Sequence, residues 1–319
     1  MNKISIAAAV LAISAGSAFA GDLPSSKSAP IAPVITVSPW DFNIGATLTS
    51  DYLFRGITQS NHQPSVWGRA ELRYNLDPSW QLYIGTSAES IKFTNNVFPV
   101  GSPAAEIDGM GGVRGTFGSF AFDVGAIVYG YVDSPIGLTG VAGGAPAGLA
   151  PRNPTFVEAY FKPTYAVNDS LTLGLNFFAT PSYLNTGADG EYLSGTVKYI
   201  MPGSLSAFAI SGEYGYQWLG NVDGVYRNNN FAPFYTYVGN PVTGKLPSYA
   251  YWNAGVSYTW KFATLDLRYY GTSLSSTQAY TLTGIPDNCS AVACSNSSTY
   301  ANQRFVATLS FDLSSKDLK

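Results

Sequence analysis

From Trp40 to Leu313 apolar residues recur at every second position, and this periodicity constrains the fold more than any other feature of the 319-residue chain. In one segment Leu171, Leu173, Leu175, Phe177 and Ala179 share a face opposite Thr172, Gly174, Asn176, Phe178 and Thr180. In another, Trp252, Ala254, Val256, Tyr258, Trp260 and Phe262 oppose Asn253, Gly255, Ser257, Thr259 and Lys261. Successive side chains of a strand point to opposite faces, so each segment is a strand with one apolar and one polar side. The pattern predicts an all-β chain with strands over residues 40–54, 64–75, 80–92, 104–116, 119–131, 154–166, 170–182, 190–201, 204–218, 249–262, 263–274 and 301–313. Helical caps followed by periodic faces are hard to find. About twelve strands is an even number, as single-chain bacterial barrels have.

The connections alternate in length. Asn75 to Ser79, Thr116 to Ser119, Ala166 to Ser170, Met201 to Ser204 and Lys261 to Thr264 are short; residues 55–63, 93–103, 132–153, 183–189, 219–248 and 275–300 form longer links. A soluble sandwich has no reason to gather its long loops at one end. An antiparallel transmembrane β-barrel does, with short periplasmic turns and long extracellular loops. Apolar faces would then meet lipid and polar faces the lumen. Tryptophan placement agrees, because amphipathic rings favour the two membrane interfaces. Trp40, Trp80 and Trp260 fall at expected periplasmic ends and Trp218 and Trp252 at outer ends, while Trp67 points to the lumen.

Composition narrows the class further. Only 12% of residues are charged, about half the roughly 25% of a soluble domain. Aromatic residues make up 14%, which excludes a disordered chain. A net charge of -3 leaves no basic footprint for nucleic acid. At the N-terminus Lys3, the apolar run Ile4 to Ala15 and Ala18-Phe19-Ala20 have the form of a cleaved secretory signal. No later apolar run approaches the length of a membrane-spanning helix. The expected organisation is a signal peptide over 1–20, a Pro-rich periplasmic lead-in over 21–39, the barrel over 40–313 and a tail over 314–319, in a bacterial outer membrane.

Ser50-Asp51-Tyr52-Leu53-Phe54-Arg55-Gly56-Ile57-Thr58-Gln59-Ser60, followed by Gln63-Pro64, resembles the N-terminal signature of the TorF-type outer-membrane porin family, which is also catalogued as a family of unknown function. Trp80 to Ser87, Glu106 to Gly115, Val124 to Tyr131 and Phe156 to Tyr160 resemble that family's successive strands, and the similarity runs from about Trp40 to Leu313. The first motif is the specific one. The resemblance implies a porin-like outer-membrane barrel with no assigned substrate, and it brings no catalytic residues.

The residues themselves suggest no enzyme. His62 is the single histidine, so a two-histidine metal site or a histidine relay is impossible. Ser60, Asn61 and His62 invite comparison with outer-membrane lipases, but Asn61 would point away from the other two. Gly109-Met110-Gly111-Gly112 lies within a strand, where glycine provides packing space rather than a phosphate cradle. No cofactor or metal is expected. Cys289 and Cys294 share the last long loop of an exported chain and are expected to form a disulfide.

The charges on lumen faces carry the functional expectation. Glu89, Glu106, Asp108, Glu158 and Glu213 fall in the outer or middle part of the wall. Arg73, Arg114, Lys162, Lys198, Lys261 and Arg268 fall toward the periplasm, and Arg69, Glu71, Asp123, Asp266, Arg304 and Asp312 interrupt the pattern. Arg73, Arg114, Lys162, Lys198 and Arg268 would favour anions there unless Asp123, Asp266 and Asp312 neutralise them by pairing, and charges of both signs suit either a hydrated channel or a salt-bridged plug. The expected function is passive diffusion of small polar solutes or ions; the alternative is a non-conducting structural or adhesive barrel. The expected partners are outer-membrane lipid, the solutes and the barrel-assembly machinery during insertion, with no nucleic acid. Nothing in the chain marks an oligomer interface.

Overall fold

The computed structural model describes residues 39–93, 103, 105–132, 154–222, 244–288, 295–315 and 317. The expected signal peptide, most of the Pro-rich lead-in and both cysteines lie outside the described residues. Twelve antiparallel strands close into a barrel: β1 Trp40–Thr49, β4 Ser65–Asn75, β5 Trp80–Ser90, β6 Ala105–Phe117, β7 Phe120–Val132, β8 Phe156–Ala166, β9 Leu171–Thr180, β10 Gly190–Ile200, β11 Phe208–Leu219, β12 Tyr249–Trp260, β13 Ala263–Thr272 and β14 Arg304–Ser314. Each strand pairs with its neighbours in sequence, and β14 returns to β1 from Asn43 opposite Ser314 to Thr49 opposite Thr308. An even number of up-and-down strands makes that closing pair antiparallel, so no edge is left open.

Local chemistry sets the short turns. Asp77 Oδ1 accepts hydrogen bonds from the Ser79 and Trp80 amides at 2.7 and 2.9 Å, and Asn168 Oδ1 does the same for Ser170 and Leu171 at 2.9 and 2.8 Å. The same side-chain turn therefore starts β5 and β9. All the short connections and both barrel termini gather at one end, the turn end, and the longer links at the other, the loop end.

The alternation is reversed relative to a soluble barrel. Leu48, Ile84, Val128, Leu175, Val256 and Leu267 point outward and are exposed, whereas Arg73, Glu89, Arg114, Asp123, Glu158, Glu213 and Arg268 point inward and are buried. Outward-facing Trp40, Trp80, Phe117, Tyr165, Phe208 and Trp260 ring the turn end, with Tyr214, Trp218 and Phe305 near the loop end. Among the described residues no helix is long and apolar enough to cross a membrane.

The chain departs from the sequence expectation in two places. The first strand was expected to run to residue 54, but it stops at Thr49; the chain then turns inward and forms a hairpin of β2 Leu53–Phe54 and β3 Ile57–Thr58. Residues 275–300 were expected as a long loop of the all-β barrel, and within that link the chain forms a short helix, α1 Ser276–Thr283. Ser275 and Gln278 build a capping box at its start and Gly284, at φ 68°, ends it. Both signals stand in the sequence, but the segment is too short to show a periodic face.

Candidate functional site

The hairpin occupies the lumen at the loop end. Arg55 and Gly56, at φ 46° and 83°, form its two-residue turn, a geometry that needs a positive φ at both central positions. Gly56 is required for space as well, because a Cβ there would lie 2.4 Å from Thr272 Cγ2. Tyr52, Leu53, Phe54 and Ile57 are buried against the aromatic wall. Phe54 meets Tyr129 edge to face at 5.6 Å and Tyr52 meets the inward Trp67 at 4.9 Å.

Arg55 fixes the tip. Its Nη1 and Nη2 donate to Glu158 Oε1 and Oε2 at 2.9 and 2.7 Å, and Nη1 also donates to Gln217 Oε1 at 2.6 Å. The guanidinium lies over the rings of Phe54, Tyr192 and Phe178 at 4.7, 4.4 and 5.1 Å. Burial alone would lower the Arg55 pKa, but the Glu158 charge and its hydrogen bonds outweigh that and raise it, so the guanidinium is held charged. Asp51 anchors the base of the hairpin. It accepts hydrogen bonds from Thr58 Oγ1 at 2.5 Å, from Ser60 Oγ at 2.9 Å and from Arg304 Nη1 at 2.7 Å.

His62 Nδ1 also lies 3.4 Å from Asp51 Oδ2. Serine and histidine therefore each contact the carboxylate rather than one another, and Asp51 sits where a catalytic base would have to be. These side chains tie the hairpin to β14.

Toward the turn end the lumen holds a second network. Arg114 donates to Glu71 Oε1 and Oε2 at 2.8 and 2.7 Å and to Asp123 at 3.2 Å, and its guanidinium lies 3.7 Å from the Tyr83 ring centre. Arg73 hydrogen-bonds Glu71 and lies 3.7 Å from Asp41; Lys162 lies 3.5 Å from Asp123; Arg69 pairs with Asp312. The Tyr83 and Tyr160 hydroxyls hydrogen-bond above the directly opposed Gly112 and Gly125. A Cβ on either glycine would come within 2.8 Å of one of those hydroxyls, which is the space this glycine run provides.

The remaining expected wall residues are placed as follows. Glu213 accepts from Tyr192, Ser194, Asn176 and Asn253, and Arg268 donates to Asp266, Asn253 and Ser211. Lys198 is half-buried opposite Ser211. Glu89, Glu106 and Asp108 lie together on β5 and β6. Lys261 is the exception, since it lies in the exposed β12–β13 turn over the Trp260 ring rather than in the lumen. Arg69, Arg73, Arg114, Lys162 and Arg268 each have an acidic partner, which is the pairing that would weaken an anion preference.

A family model described as a bacterial protein of unknown function, Gcw_chp, matches residues 35–296. The chain belongs to the Gcw_chp family. The match spans the hairpin, the carboxylate group on β5 and β6 and both sides of the Arg55–Glu158 contact, so the lumenal arrangement lies within the Gcw_chp region. Among curated protein sequences none matches the chain. Solved structures similar to it include the KdgM porin, at 9% identity over 85% of this chain and 98% of that one with a TM-score of 0.42. The NanC porin is similar at 10% identity over 85% and 100%, with a TM-score of 0.44. An outer membrane channel from Pseudomonas putida is similar at 10% over 89% and 100%, with a TM-score of 0.43.

The sequence pattern places Arg55 to Gln63 in an external loop, whereas the segment folds into the lumen and fills its loop end. A signal was present: Tyr52, Leu53, Phe54 and Ile57 are apolar residues that an exposed loop has no reason to carry, and Gly56 sits where a tight hairpin turns.

Proposed function

We propose that the protein is an outer-membrane barrel whose lumen passes small polar solutes or ions by passive diffusion, with the Leu53–Thr58 hairpin setting how far it opens. The observation that carries this reading is the pairing of a lipid-compatible exterior with a charged interior in a sheet without edges. A bilayer admits a β-sheet only when every backbone group is paired, which closure accomplishes. The signal-like N-terminus and the TorF-type resemblance of Ser50 to Pro64 support the same location, with the short turns in the periplasm. Twelve strands fall between the eight that side chains fill and the 16 to 18 of open porins, so the path is narrow.

A second reading, a non-conducting structural or adhesive barrel, is favoured by the buried Arg55–Glu158 contact that seats the hairpin. Recording the purified full-length protein in planar bilayers separates the two. Discrete conductance steps support the channel; their absence both in the wild type and in a variant with the hairpin released supports the structural barrel. A change in gel mobility between unboiled and boiled protein is expected of either.

A further inference from the structure

We propose that Glu89, Glu106 and Asp108 form a binding site for one divalent cation of the calcium class. The three carboxylates face the lumen from adjacent strands, with Glu89 directly across from Glu106 and Ser87 directly across from Asp108. Ligand atoms from all three lie within 4.8 Å of one another, and each residue is 1% exposed.

Two features set this group apart from the rest of the wall. Like charges directly opposite on paired strands repel, and burying them unpaired is costly. Elsewhere in the barrel acidic groups are answered by cations, as Glu158 is by Arg55, Glu71 by Arg114 and Asp266 by Arg268, or by several neutral donors, as Glu213 is by Tyr192, Ser194, Asn176 and Asn253. Among the described residues no arginine, lysine or histidine pairs with Glu89, Glu106 or Asp108. Moreover, both oxygens of Glu89 and both of Asp108 are buried without a hydrogen-bond partner.

An independent observation comes from a neutral residue. The Ser87 hydroxyl is also buried without a partner, at 2% exposure, on the same inward face of β5. A lone buried hydroxyl beside four orphaned carboxylate oxygens is an incomplete hydrogen-bond account, and a cation completes it. Glu106 is already oriented, because Tyr52 Oη donates to its Oε1 at 2.8 Å.

Donor chemistry selects the ion. Every candidate ligand is oxygen, with no imidazole or thiolate, which suits hard cations over zinc or copper. Ca2+ takes six to eight oxygens at roughly 2.3–2.6 Å, so ligands on opposite sides of it stand about 5 Å apart, close to the span of this group. Mg2+ has a tighter octahedral shell and keeps more of its water. Because Tyr52 leads directly into the hairpin, an ion held by Glu106 would also fasten the base of the plug to β6. This inference concerns binding and holds whether or not the lumen conducts.

Equilibrium dialysis of the full-length barrel in detergent, stripped with chelator, tests it with Ca2+ and Mg2+ as the probes. One Ca2+ per barrel is expected, with a raised melting temperature and about tenfold weaker Mg2+ binding. Glu89→Gln should weaken Ca2+ about tenfold or more, and Glu89→Gln with Asp108→Asn should abolish the thermal shift. Without Ca2+ that double variant should melt above the stripped wild type, because two unpaired buried charges are gone. If it does not fold, Ser87→Ala gives a milder case, with a few-fold loss expected, while Asp169→Asn on an exposed turn should change nothing. No binding at about 10 mM Ca2+, above the range of weak extracellular calcium modules, would overturn the proposal. Binding undiminished in both Glu89→Gln and Ser87→Ala would overturn it equally, the carboxylates then being neutralised by shared protons.

Discussion

Arg55 in the lumenal hairpin and Glu158 on β8 meet through two parallel hydrogen bonds of 2.9 and 2.7 Å, with neither residue more than 4% exposed. Removing one partner of such a pair leaves the other buried and uncompensated, at a cost of about 3–5 kcal/mol. Glu158→Ala and Arg55→Ala should each unseat the hairpin. Expected outcomes are a lower urea midpoint for both, a double variant no worse than either single one, and larger conductance steps in bilayers. A double-mutant coupling below about 0.5 kcal/mol would show that the apolar contacts of Phe54 and Ile57, rather than this pair, hold the plug.

Gly56 tests the same element through its backbone. At φ 83° and with Thr272 Cγ2 2.4 Å from where a Cβ would stand, Gly56→Ala faces both a strained conformation and a clash. A destabilisation of about 2 kcal/mol or more is expected. Gly118→Ala, also at positive φ but with nothing within 4 Å, should cost less, about 1 kcal/mol. Equal urea midpoints for the two variants would mean that the hairpin does not pack as tightly as the contacts at Thr272 require.

The wall was legible in the sequence because strand alternation is local: each expected strand overlaps an observed one, and Trp67, Glu158 and Glu213 face the lumen as period two dictates. The plug was not, because whether a loop folds outward or inward depends on partners far along the chain, such as Glu158 and Gln217 for Arg55. The grouping of Glu89, Glu106 and Asp108 was half legible. Period two places all three inside, but only the β5–β6 register sets Glu89 against Glu106.

Asp51 gives the hairpin base a pH dependence. Burial raises its pKa above its ordinary value, and the hydrogen bonds from Thr58 and Ser60 with the Arg304 charge only partly offset that. A carboxyl whose folded pKa exceeds its unfolded one binds its proton more readily in the folded protein. Its contribution to stability is therefore fully present below the unfolded pKa, near 3.9, and is lost as pH rises through the folded value. Relative to Asp51→Asn, the wild type should gain stability as pH is lowered from neutral toward about 4. Parallel stability curves for the two proteins would remove Asp51 as the source.

Leu267 tests the orientation of the wall. It is 56% exposed at the middle of β13, while Ser257, opposite Asp266, faces the lumen from β12. If lipid covers the exterior, Leu267→Arg should destabilise the barrel in bilayers by about 2–4 kcal/mol. Ser257→Arg, beside an acidic neighbour, should cost far less. The reverse order would place the apolar face away from lipid.

The turn-end charges bear on selectivity. Arg69, Arg73, Arg114, Lys162 and Arg268 are matched there by Asp41, Glu71, Asp123, Asp266 and Asp312, and Lys198 stands half-buried on the same face. A ring whose charges are mostly paired gives a permeating ion little net field, so the reversal potential in a salt gradient should lie near zero. Asp123 is the sensitive position, since it faces Arg114, Lys162 and the Tyr83 hydroxyl at once. Asp123→Asn removes one negative charge and should shift permeability toward anions, while Arg114→Gln should shift it toward cations. Both shifts should shrink as salt rises, because screening shortens the reach of the uncompensated charge to about 3 Å at 1 M. Should the wild type conduct too little to measure, the same pair of substitutions can be read in the Glu158→Ala background. Shifts of the same sign, or none, would locate the constriction away from this ring and nearer the hairpin.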